Sequence, residues 1–127
     1  MTKIKILACV LTVLFATSCQ KDKIPSSISN TKWENTILQV TITLSFTNNT
    51  NGTLTIISRE QEIDEHITFT YTYTKPDVLL KPSTPPYNTE FPIGIKAVVR
   101  SEDVMDFSDF AKSQFPGIVE LVLVKKK

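Results

Sequence analysis

Two places in this 127-residue sequence gather side chains able to do chemistry. The first is Cys19, which follows the small residues Ala16, Thr17 and Ser18 at the end of an apolar run. A thiolate is nucleophilic at neutral pH, so a cysteine at such a junction suits covalent attachment of another group as a thioether. The second is Arg59–His66, REQEIDEH, where Glu60, Glu62, Asp64 and His66 recur at every second position. In a strand that spacing places all four on one face, and carboxylates with an imidazole are ligand types for a divalent metal. The run lacks EF-hand spacing and has no second histidine for zinc. Its simpler reading is the solvated end of a hairpin, and no metal or cofactor is expected. There is no G-x-S-x-G elbow, and a triad would have to use His66, the only histidine. Three glycines leave little material for a phosphate-cradling loop. The expectation is a protein that is not an enzyme.

The segment before Cys19 gives that thiol its context. Lys3 and Lys5 precede Ile6–Ala16, which is apolar apart from Thr12. A basic start, an apolar stretch of about 7–15 residues and a small-residue junction describe a secretory signal peptide. A spanning helix needs about 20 apolar residues. Residues 1–18 are therefore expected to be cleaved. Ala16-Thr17-Ser18-Cys19 resembles the lipobox of bacterial lipoproteins. The resemblance implies a diacylglycerol on the Cys19 sulfur, cleavage just before that residue, and acylation of the new amino group with a fatty acid such as palmitate. Two or more acyl chains hold a protein stably in a membrane. Gln20 stands where such lipoproteins carry an Asp for inner-membrane retention, so the resemblance favours an outer-membrane location in the cell envelope. Whether the periplasmic or the surface face is occupied stays open.

Cleavage removes Lys3 and Lys5 from 14 basic residues while all 13 acidic residues remain, so the net charge passes from +1 to −1. That balance does not mark a nucleic-acid partner. Cys9 leaves with the signal, and lipid occupies Cys19, so no intrachain disulfide is expected and stability must come from a packed core. Residues 19–30, polar and serine-rich with one proline, read as a lipidated flexible tether. Residues 31–127 read as one domain of ordinary size.

Within that domain the pattern is β almost throughout. Val40, Ile42, Leu44 and Phe46 alternate with Thr41, Thr43 and Ser45, the period of a half-buried strand. Asn51-Gly52 offers positive φ and predicts a hairpin turn before a strand over 53–58. Ile67, Phe69, Tyr71 and Tyr73 share one face of the next strand, and Lys75-Pro76-Asp77 turns into Val78–Leu80. Lys81–Pro92 holds four prolines, which cannot donate to a ladder, and reads as a loop. A strand with Ile93, Ile95, Ala97 and Val99 on one face follows, then a short extended piece over 104–107. Ser108–Phe115 suggests a helical turn capped by Ser108, and Ile118–Val124 reads as the closing strand. Seven or eight sequential antiparallel strands must hide their edges. The expected fold is all-β, a small up-and-down antiparallel barrel, with a β-sandwich as the alternative.

The order of a lipobox, a serine-rich tether, T-K-W-E at Thr31–Glu34, F-T-Y-T-Y at Phe69–Tyr73, P-D-V-L-L at Pro76–Leu80 and a lysine-ended final strand resembles the small lipocalin-like (calycin-like) lipoproteins of the Bacteroides group. The resemblance implies a small barrel with Trp33 plugging one end, and no enzyme activity. An eight-stranded barrel is just wide enough to be filled by side chains or to hold one small ligand. Trp33, Phe69, Tyr71 and Tyr73 are thus candidate pocket or core residues, and Tyr87 and Phe91 a candidate rim. Two functions follow. One is a lipid-anchored binder of a small apolar ligand or a partner protein. The other is an accessory or inhibitory interaction module with a solid core and no small-molecule ligand. The partners expected are the membrane and a ligand or envelope protein, with oligomeric state open.

Overall fold

Val40–Phe46 shows why this chain builds a sheet. Its alternate residues are buried and half-buried in strict succession, because successive side chains of a strand point to opposite faces. The computed structural model describes residues 23–127. Cys19 and the expected signal peptide lie outside the described residues. Eight strands follow one another: β1 (Thr31–Ile37), β2 (Val40–Phe46), β3 (Asn51–Ser58), β4 (Ile63–Thr74), β5 (Asp77–Pro82), β6 (Ile95–Val99), β7 (Val104–Asp106) and β8 (Val122–Lys125). Two short helices interrupt them, α1 (Tyr87–Glu90) and α2 (Ser108–Gln114).

Each strand pairs antiparallel with its chain neighbour, and β8 returns to β1 through Trp33↔Lys125 and Glu34↔Val124, closing a barrel in the order β1 to β8. The fold is the expected up-and-down barrel, with no sandwich of two sheets. Closure removes the free edges that an open meander would expose. Pairing is most extensive from β1 to β5 and least at β6–β7, with Val98↔Asp106 and Val99↔Met105, and at the β8–β1 closure, with two pairs as well.

The interior is occupied by side chains. Ile42, Leu44, Leu54, Leu80, Ile95 and Leu123 each expose at most 1% of their surface. Their near-complete burial packs the middle of the barrel, as side chains of eight strands allow. Among the described residues, none of the buried side-chain nitrogens and oxygens lacks a hydrogen-bond partner.

Several local expectations are corrected. The tether is shorter than residues 19–30: Ile28 is 1% exposed, Ile24 packs on the core, and the Asn30 N–H donates to the Phe46 carbonyl at 2.7 Å. An isoleucine inside a serine-rich stretch is enough to draw that stretch onto apolar surface. Asn51-Gly52 is not the turn but the start of β3. The turn is made one step earlier, by Asn48, whose Oδ1 accepts from the N–H groups of Thr50 and Asn51 at 2.8 Å. Gly52 instead leaves room for a ring: a Cβ there would stand 2.5 Å from Phe69 Cζ and 2.4 Å from the Ser45 carbonyl oxygen.

The proline-rich stretch is not wholly loop, since its middle forms α1. Ile93 is 74% exposed because β6 begins only after Gly94, whose φ of 118° breaks the alternation. Ser108 is the first residue of α2 and makes no cap; its Oγ accepts from the Leu121 N–H at 2.9 Å, tying the helix to the approach of β8. The last strand is confined to Val122–Lys125.

Candidate functional site

The two ends of the barrel are closed by different means. At one end, residues 24–30 are tied to Phe46, Tyr73 and Thr31, beside Trp33, which is fully buried and whose Nε1–H donates to Thr31 Oγ1 at 2.8 Å. Phe46, Phe69 and Tyr71 meet edge-to-face toward this end, with ring centroids 4.8 to 6.3 Å apart. This geometry suits the ring quadrupoles. The Tyr71 hydroxyl donates to the Asn48 carbonyl, and burial pushes its pKa above the ordinary phenol value. Tyr73, also raised by burial, is half-buried and donates to the Pro25 carbonyl, pinning the N-terminal segment down.

The sequence-derived candidates at this end are therefore brought together, but as core. Trp33, Phe69 and Tyr71 fill the barrel, and Tyr73 is a clasp at its mouth. None of the four lines an open interior chamber.

At the other end α2 lies over the barrel, burying Phe110 and Ala111. Phe107 and Phe110 stack with centroids 5.1 Å apart. Tyr87 and Phe91, the expected rim, pack on the same Phe110 ring at 6.4 and 6.0 Å. Both are partly buried against the core, so this candidate rim packs over the mouth as part of its aromatic cluster. The Tyr87 hydroxyl donates to Glu65 Oε1, and its pKa is pushed far up, by burial first and then by the hydrogen bond and charge of Glu65 and the charge of Glu90. The phenol stays a donor at any physiological pH.

Glu65 escaped the sequence reading, which grouped the even-numbered acidic residues. Its parity matches Ile67 and Phe69, so it points toward the mouth, and parity alone signals that. Asp106 anchors the start of α2. Burial pushes its carboxyl up, but hydrogen bonds from Ser108 and Arg100 outweigh this and hold it below the usual value. The Arg100 Nη2 to Asp106 Oδ2 distance is 2.6 Å.

The Arg59–His66 run divides between a turn and a strand. Glu60 and Glu62 stand in the β3–β4 turn, and His66 Nε2 lies 2.8 Å from Asp64 Oδ1 on the outer face, both side chains well exposed. Among the described residues no three carboxylate, imidazole or thiol groups are placed to hold a metal ion. Surface depressions flank the barrel. One of about 280 Å³ lies between Glu65, His66, Thr84 and Tyr87. Another of about 440 Å³ runs over the outer face of β4–β6 between Thr72, Asp77, Leu79 and Lys96. No helix among the described residues is long and apolar enough to cross a membrane.

No family model, no curated protein and no solved structure matches this chain.

Proposed function

We propose that this chain is a lipid-anchored module of the bacterial cell envelope that works by binding a partner protein through the outside of a solid barrel, without catalysis. The observation that carries this reading is the filled interior, with both mouths plugged by aromatic side chains. Pockets for small molecules are concave spaces of about 300–1,000 Å³ that bury most of the ligand, and the buried core favours a filled barrel over such a chamber among the described residues. The anchor rests on the Cys19 junction and on the way residues 24–30 are folded against one mouth, which leaves the helix-capped end free. That end carries exposed Leu38, Ile93 and Val119 among carboxylates, a surface suited to protein contact.

Labelled palmitate incorporation in the native host, with a Cys19→Ala control, tests the anchor; equal labelling of both removes it. Native mass spectrometry of protein purified from its host tests the binding mode. A complex with a second polypeptide is expected. A reproducible extra mass of a few hundred daltons would replace this reading with carriage of a small apolar ligand.

A further inference from the structure

Lys32 on β1 and Lys125, Lys126 and Lys127 at the end of the chain surround an open depression of about 600 Å³ at the Trp33 end, together with Asn30, Thr31, Ser45 and Phe46. No acidic side chain lines it. The nearest paired acid is Glu34, whose Oε2 lies 3.6 Å from Lys126 Nζ. The backbone holds the group in place: the Lys126 N–H donates to the Lys32 carbonyl at 2.8 Å. Lys23 and Lys75 are exposed at the same end. Asp77 at the start of β5 and Glu102 and Asp103 in the β6–β7 turn are too few to balance them. At the opposite end stand Glu60, Glu62, Asp64, Glu65, Glu90, Asp109 and Glu120, against Arg59, Lys96 and Lys112. A chain with almost no net charge is thus strongly polarised along the barrel axis.

The N-terminal segment arrives at the basic end. Because Ile24 and Ile28 pack on the core, only the short stretch between Cys19 and Ile24 remains to link barrel and bilayer, a reach of at most about 18 Å. Lysines contribute when they come within about one Debye length of an anionic surface, about 8 Å at physiological salt. So short a link holds this end close to that range.

We infer that the lysine-bearing end is a docking face for the phosphate headgroups of an anionic membrane, standing the barrel upright with its acidic, helix-capped end directed away. The inference deepens the anchored reading and rests on it for the local concentration of lipid, but the face binds by its own charge. All eight strands and the buried core lie between Ile28 and Lys125, so a chain beginning at Gln20 keeps the barrel and lacks the thiol. Its co-sedimentation with phosphatidylcholine vesicles containing 30% phosphatidylglycerol tests the face apart from the anchor.

Binding to these vesicles and not to pure phosphatidylcholine is expected, with loss at high salt. A Lys32→Gln/Lys126→Gln/Lys127→Gln variant with an unchanged circular-dichroism spectrum should bind about 100-fold more weakly, at about fivefold per charge. Equal binding to neutral and anionic vesicles, no binding to either, or undiminished binding by the variant overturns the inference, whatever palmitate labelling shows at Cys19.

Discussion

The two mouths of this barrel solve one problem with different materials. The Trp33 mouth is closed by strand residues and by seven residues of incoming chain, Ile24–Asn30. The opposite mouth is closed by two helices placed between strands, which bring Phe110, Tyr87 and Phe91 to a single ring cluster. The first mouth is basic and the second acidic. A plug can thus be drawn from whatever segment passes nearby, provided it carries large apolar side chains, and the outward charge is then free to serve another purpose.

The largest effects should come from removing the plugs. Phe110→Ala deletes the ring shared by the helix cap, and a loss of about 3–5 kcal/mol in urea denaturation is expected. Ile28→Ala should cost about 2–5 kcal/mol. That value decides whether residues 24–30 belong to the fold: a cost below about 0.5 kcal/mol, the range of surface substitutions, would return them to the tether and break the symmetry between the mouths.

A gain is expected at the helix end. Leu38 and Gln39 form the two-residue β1–β2 turn with φ of 53° and 65°, the geometry that favours Asn-Gly. Non-glycine residues held there cost about 1–3 kcal/mol each. Leu38→Asn with Gln39→Gly should therefore raise stability by about 1–2 kcal/mol, read as a higher urea midpoint at unchanged slope. The turn at the other end already has its chemistry in Asn48, so no comparable gain is available there.

The smallest effect separates the two ends by pH. The Asp106 carboxyl is held below its usual value in the fold, so the unfolded chain binds its proton first as pH falls. Its contribution is complete above about pH 5 and is lost below the ordinary carboxylate value as pH drops through the folded pKa. Thermal melts from pH 5 to pH 3 should fall more steeply for the parent than for Asp106→Asn, and amide exchange should quicken in α2 before β1. Parallel curves for the two proteins would remove Asp106 from the account of the helix end.

Much of the architecture was legible because a strand writes its buried face at every second position. Val40–Phe46 and Ile67–Tyr71 were read correctly from that period, and the sequential turns implied a meander that must close. The candidate site was less legible. Trp33, Phe69 and Tyr71 were correctly grouped, but whether aromatic side chains line a space or fill it depends on how eight strands converge, which no local period records. Glu65 is hard to single out in the sequence because its neighbours Glu60, Glu62, Asp64 and His66 advertise a different alternation. Gly52 looked like a turn residue, since nothing local tells that Phe69 needs its missing Cβ.

The alternation of β-branched and hydroxyl side chains, the proline punctuation and the thiol after a small-residue junction were properties of the sequence by itself. They carried the strand periodicity, a sequential antiparallel meander of seven or eight strands and the expectation of export, because each depends on residues a few positions apart. Only the tertiary structure decided that the barrel is solid, that Ile28 is core, that Tyr87 and Phe91 cap a mouth, and that the lysines gather at one end. Each of these depends on residues far apart in the chain coming into contact, and packing and charge act on distances in space, which sequence neighbours do not specify.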